Sequence, residues 1–132
     1  MSARKVGGHV SMAGGLENAI KNTLSISGNC MQIFAGSPRA WARQPFPEDQ
    51  VDEFNLQVKK HNLSPIFIHA LYLVNLASDN PDLLNKSYQA LLMDLKNGSS
   101  INSAGVIVHL GSHQGRGFDS AKDQVASLVK NC

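Results

Sequence analysis

Four times along this chain a short apolar run gives way to a helical pattern, and no other feature limits its fold as tightly. The first run lies around Val6 to Val10. Leu16, Ala19, Ile20 and Leu24 follow at the three- to four-residue spacing of an amphipathic helix, which Ser27-Gly28-Asn29 ends. The second run is Cys30 to Phe34. After a loop, Pro47 opens a helix, where a missing N–H costs nothing. Glu48 and Asp49 in its first turn and Lys59 and Lys60 in its last complement the helix dipole, and Val51, Phe54 and Val58 mark its buried face. The third run is Pro65 to His69. Asn80-Pro81-Asp82 then combines an N-cap, a first-turn proline and an acidic first turn. That helix carries Leu84, Ser87, Tyr88, Leu91, Leu92 and Leu95 on one face and closes at Asn97-Gly98. The fourth run is Gly105 to His109, and a last helix, capped by Asp119 or Ser120, buries Val125, Leu128 and Val129.

Four βα units in succession predict an α/β fold of parallel strands with helices packed outside. Such a sheet can be a small doubly wound fold. It can also be half of an eight-stranded barrel, which takes about 250 residues. Polar candidates follow all four strands. A barrel turns every strand end toward one mouth, whereas an open sheet focuses on a switch point, so the pattern favours the barrel.

Composition excludes several classes. With 132 residues, 42% hydrophobic and 17% charged, the chain can build one domain core and is unlike a disordered segment. A net charge of +2 is too small to imply an anionic partner by itself, although Arg39 and Arg43 flank Trp41 in a local basic stretch. Two cysteines are too few for a disulfide scaffold. Cys30, in an apolar run, is expected to be a buried thiol, and both cysteines suit a reducing compartment. The start, Met1 to Val10, has no apolar run of leader length, and no stretch nears the ~20 apolar residues of a membrane helix. The expectation is a soluble, cytoplasmic protein.

Two strands ending on histidine suggest a site built from strand ends. His69 follows Ile66-Phe67-Ile68, and His109 follows Val106-Ile107-Val108. Neutral imidazole is a favoured zinc ligand, and a strand end holds it rigidly. The bland reading is a histidine bonded to loop backbone. Two ligands also fall short, since a catalytic zinc takes about three from protein. His9 follows the first run, either as a polar residue closing a short strand or in a functional role; His113 lies in a turn four residues after His109 and need not share a metal with it; and His61 sits at a helix end that needs no function for it. In the loop above strand two, Arg39 and Trp41 suit phosphate contact and base stacking, or a surface arginine beside a tryptophan folded onto the wall. Tyr72 can wedge against a nucleic acid or fill the loop core with Leu71 and Leu73, and Asn75 can tie that loop down. The glycines of Val6 to Gly15 match neither phosphate-cradling motif. No Ser/His/Asp triad suggests itself, and sparse carboxylates near the strand ends argue against two-carboxylate chemistry.

These stretches resemble a known family. GGHVSMAGGLENAI (Gly7 to Ile20) is similar to the opening motif of the endonuclease IV family of apurinic/apyrimidinic endonucleases. MQIFAGSPRAW (Met31 to Trp41), HALYLVNLAS (His69 to Ser78) and VIVHLGSH (Val106 to His113) resemble its second-, third- and fourth-strand motifs, in order and across essentially the whole chain. The resemblance implies a TIM barrel with three zinc ions that hydrolyses the phosphodiester 5′ to an abasic site in double-stranded DNA, leaving a 3′-hydroxyl. It implies that His69 and His109 ligate one zinc and that Arg39 and Tyr72 lie on DNA-contacting loops. Such loops would insert into the duplex and help hold the abasic nucleotide out of the stack. It also implies a monomer when the barrel is complete.

The departure is length. Members of that family are about twice as long, and most of their zinc ligands lie in the half not found here, including a bridging carboxylate on strand five. Residues 1–132 are therefore expected to form the N-terminal part of a single barrel domain, marginally stable and catalytically inactive alone, with two open sheet edges prone to pairing. Two alternatives stand beside this reading. One is a metal-dependent sugar isomerase or epimerase of a related barrel. The other is a non-catalytic half-barrel that dimerises through its edges.

Overall fold

A computed structural model describes residues 4–132. Met1 to Ala3, part of the start assessed above for a leader, lie outside the described residues. Four strands alternate with four helices: β1 (Gly7–His9), α1 (Leu16–Ser25), β2 (Cys30–Phe34), α2 (Glu48–His61), β3 (Ile66–His69), α3 (Pro81–Ser100), β4 (Gly105–Ile107) and α4 (Phe118–Lys130). The strands form one parallel sheet in the order β1-β2-β3-β4. A doubly wound sheet reverses its strand order at a switch point, and this sheet does not. Successive neighbours in one direction are what a barrel wall requires.

The period of two along each strand divides the sheet into faces. Met31, Ile33, Ile66 and Ile68 are buried under the helices with Leu16, Ala19, Ile20, Phe54, Leu63 and Ile101. The intervening residues Gln32, Phe34, Phe67 and His69 are only half-buried and belong to the opposite face. A second apolar cluster, Leu71, Val74, Leu76, Ala90 and Leu91, packs the β3–α3 loop against α3, with Trp41, Val125 and Leu128 at its margin. Each fully buried leucine or isoleucine in these clusters contributes ~1.5–3 kcal/mol over its exposed state.

Several local expectations are refined. Pro47 is the N-cap of α2 rather than its first residue, and the left-handed Asn62 stops that helix. Asn80 caps α3 as expected, its side-chain oxygen accepting from the Leu83 N–H at 3.0 Å. Gly98 does not close α3, which runs on to Ser100. A Cβ there would sit 2.7 Å from Ser103 Oγ and 3.6 Å from Ile68 and Val106, so the glycine lets the helix approach the sheet. β4 ends at Ile107, two residues short of His109. Gly117, not Asp119 or Ser120, caps α4, and Val129 is exposed while Ala121 is the buried residue. Cys30 is half-buried, because it alternates with the buried Met31 and shares the sheet face of Gln32 and Phe34 rather than the face under the helices.

Candidate functional site at the strand ends

The C-terminal ends of the strands gather one cluster of rings. His69 closes β3, in register with Phe34 of β2 and Ile107 of β4. His109 follows β4 by two residues and is exposed. The ring centroids of His69 and His109 lie 5.2 Å apart. Phe34 lies 5.3 Å from His69, 4.3 Å from His9 and 5.2 Å from Tyr72, forming the aromatic floor of the cluster. Tyr72 is 60% exposed, with its ring 6.0 Å from His69.

Hydrogen bonds set what each imidazole can do. His69 Nδ1 lies 2.7 Å from the Ala70 carbonyl oxygen. A carbonyl only accepts, so Nδ1 carries a proton, and in the neutral ring Nε2 carries the lone pair, the tautomer a metal ligand needs. His9 is held the other way. The Gln32 amide Nε2 donates to its Nδ1 at 2.8 Å, which leaves the proton on His9 Nε2. Burial, with His69 nearby, lowers the His9 pKa. His9 is thus a hydrogen-bond donor beside the site, 6.2 Å between centroids from His69. His113 stands apart: its Nδ1 accepts from the Gly115 and Gly117 N–H groups at 3.2 Å and shapes the turn before α4. His61 is exposed at the end of α2.

The fit of a metal follows from these positions. With Zn–N bonds of ~2.0–2.1 Å, two imidazoles on one tetrahedral zinc place their ring centres about 5 Å apart. His69 and His109 meet that spacing, and His69 has the right tautomer. Among the described residues, no group of three His, Cys, Asp or Glu side chains is placed to hold a metal. The chain therefore offers a pair of nitrogen donors rather than a closed site.

The loops beside the cluster are tied together. Tyr72 N–H donates to the Pro38 carbonyl at 2.9 Å, joining the β3–α3 loop to the loop that carries exposed Arg39. Trp41 packs against the second apolar cluster, the wall position rather than a free stacking platform. Tyr72 points outward while Leu71 fills the loop core. Asn75 does secure its loop: its Oδ1 accepts from the Ala77 and Ser112 N–H groups, both at 3.0 Å. A Cβ on Gly111, whose φ is +103°, would fall 2.1 Å from that oxygen, so only glycine fits there.

Sequence reasoning missed two features. Phe34 appeared only as the end of an apolar run, yet its ring adjoins those of His9, His69 and Tyr72. Asp94 and Asn97, on the inward face of α3, are buried polar residues that hold the Arg39 loop from beneath. The detectable signal was their spacing from Ser87, at 87, 94 and 97, which puts all three on one helical face.

Comparison with known proteins gives a consistent picture. The family model described as a xylose isomerase-like TIM barrel matches residues 21–132. A "Probable endonuclease 4" from Haloarcula marismortui is 37% identical over 125 residues, covering 95% of this chain and 45% of the relative. One from Halobacterium salinarum is 38% identical, covering 95% of this chain and 46% of the relative. The crystal structure of endonuclease IV from Thermus thermophilus superposes with a TM-score of 0.83 at 30% identity, over 97% of this chain and 47% of that one. The chain thus spans about half the length of the relatives it matches, and its four βα units have the TIM barrel fold.

Proposed function

We propose that this chain, which belongs to the xylose isomerase-like TIM barrel family, supplies the first four βα units of a single barrel domain in a zinc-dependent DNA-repair endonuclease. The reaction is hydrolysis of the phosphodiester 5′ to an abasic site in double-stranded DNA, leaving a 3′-hydroxyl. The observation that carries this reading is the convergence of His69 and His109 at neighbouring strand ends, with ring centres 5.2 Å apart, in a chain similar to proteins named endonuclease 4.

His69 and His109 would hold one zinc through ring nitrogens. When bound, zinc supplies Lewis-acid polarisation of a phosphate oxygen and a water acidic enough to ionise near neutral pH. The chain's own residues do the rest. The Ala70 carbonyl orients His69 and, in the neutral ring, fixes the proton on Nδ1 so that Nε2 carries the lone pair. Arg39, exposed on the β2–α2 loop, contacts backbone phosphate, a sequence-blind and salt-sensitive interaction. Tyr72, exposed beside it, presents a ring to the gap left by the missing base. Phe34 seals the floor between the histidines and Tyr72 and limits water there.

The complete barrel works as a monomer on this reading. The 132-residue chain alone does not incise DNA, since two imidazoles do not close a catalytic zinc site. Titration of the chain with zinc should shift the ring resonances of His69 and His109 together, and His109→Ala should abolish the response of His69. In a chain extended to the relatives' length, His109→Ala should cut incision of an abasic duplex by ~100-fold or more, in line with lost metal-site residues. Unchanged incision would remove the metal assignment. A sugar isomerase of a related barrel would instead turn over aldoses and be indifferent to Arg39→Ala.

A further inference from the structure

We propose that Arg43 and Asp94 are positioning residues, a buried ion pair that locks the β2–α2 loop so that Arg39 stands beside Tyr72. The inference rests on the DNA-contact reading of those two residues. Arg43 Nε lies 3.2 Å from Asp94 Oδ1, with the two side chains 3% and 0% exposed. From that anchor Arg43 Nη1 donates back into its own loop, to the carbonyls of Ser37 at 2.9 Å, Ala42 at 3.3 Å and Ala40 at 3.4 Å. Arg39 lies between these points, so the guanidinium fixes the backbone on both sides of it.

The loop is shaped to admit this anchor. A Cβ on Gly36 would meet Arg43 Nη1 at 2.9 Å, so the glycine makes room for the guanidinium. One turn further along α3, Asn97 clasps the same loop, donating to the Gln44 carbonyl and accepting from the Phe46 N–H, both at 2.9 Å. At its other end the loop carbonyl of Pro38 accepts from the Tyr72 N–H at 2.9 Å. A rigid helix thus carries both loops in one relation.

The pair is poorly built for stability alone. Both side chains are withdrawn from water, and Arg43 Nη2 has no hydrogen-bond partner among the described residues. Replacing such a pair by apolar side chains of similar size is commonly neutral or stabilising. What an apolar pair cannot do is donate to three loop carbonyls. The geometry therefore separates the two roles and makes them testable apart.

Trp41 is the single tryptophan and lies within this loop, so its emission reports loop position without DNA. The test uses the 132-residue chain, with the double variant Arg43→Met, Asp94→Leu and with Arg43→Lys, which keeps the charge but loses the fork. The readouts are urea midpoint, Trp41 emission and acrylamide quenching, exchange of the Tyr72 amide, and affinity for a short duplex with a tetrahydrofuran abasic analogue. The double variant should unfold at a midpoint equal to or above the parent's. Its Trp41 should red-shift and quench more readily, its Tyr72 amide should exchange roughly tenfold faster or more as the loop opens locally, and its duplex affinity should fall to that of Arg39→Ala. Arg43→Lys should show the same loop signals, which keeps the test valid if the double variant does not fold. Unmoved Trp41 and Tyr72 signals in a folded variant would overturn the positioning role. Moved loop signals, with duplex affinity indifferent to both these variants and Arg39→Ala, would uphold the lock and reject the DNA reading instead.

Discussion

Asp94 shows how burial and charge compete at a single residue. Burial pushes its carboxyl up to about 6, although the Arg43 guanidinium and, more weakly, His69 pull it back. It is ionised at neutral pH and paired with Arg43. The sign of the linkage follows from a folded pKa above the ordinary value of 3.8. The native chain holds this proton more tightly than the unfolded chain, so the contribution is fully present below pH ~4 and is lost as pH rises through about 6. Urea midpoints of the parent, relative to Asp94→Asn, should therefore decline between those values. A parallel pH dependence of the two proteins would show that Asp94 titrates normally. A lone Asp94→Leu has a different effect, because it leaves Arg43 buried without a counter-charge. It should cost ~3–5 kcal/mol, measured by denaturant unfolding at pH 7.

At the scale of elements, α3 organises the loops as much as it covers the sheet. Ser87 Oγ accepts from the Asn75 N–H, Asp94 meets Arg43, and Asn97 clasps Gln44 and Phe46. These residues share one face because seven and ten residues are close to two and three helical turns. The start of this helix depends on its cap, and Asn80→Ala should cost ~1 kcal/mol, read as a lower thermal midpoint. Asn75 joins the β3–α3 loop to the turn after β4. Its replacement by alanine strands two N–H donors and should cost ~1–3 kcal/mol if they are left unsatisfied. Faster amide exchange at Ala77 and Ser112 would mark the loss; unchanged exchange at both would mean that the tie holds nothing. The helical period of α3 was legible in the sequence, as was its N-terminal cap. Its end was not, because Gly98 has the composition of a stop signal but serves close helix–sheet packing, which depends on Ile68 and Val106 arriving from elsewhere in the chain.

On the scale of the whole molecule, the sheet formed by the described residues has two unpaired edges, β1 and β4. Exposed apolar side chains lie in and after β4: Ile107 in the strand, Leu110 beyond it and Phe118 at the start of α4, the last 71% exposed. Open strands with adjacent apolar surface are a route to self-association. Light scattering of the isolated chain should show mass rising with concentration, and Phe118→Lys should weaken that rise without lowering the unfolding midpoint. A concentration-independent monomer would mean that the edges are blunted by the chain itself. No helix among the described residues is long and apolar enough to cross a membrane.

Local patterns were enough to specify the succession of four βα units, most of their boundaries within a residue or two, and the placement of His69 and His109 after their strands. Those properties come from periodicity, caps and turn residues, which act over a few positions. Periodicity alone left a doubly wound sheet and a barrel wall open, since strand order is a matter of which edges pair; the polar residues after all four strands and the motif resemblance pointed to the barrel, and the observed order agrees. Only the folded chain shows the 5.2 Å approach of the two imidazoles and the opposite tautomers of His69 and His9. The same holds for the Arg43–Asp94 anchor, whose partners stand 51 positions apart (43 and 94) and meet only when α3 packs across the loop.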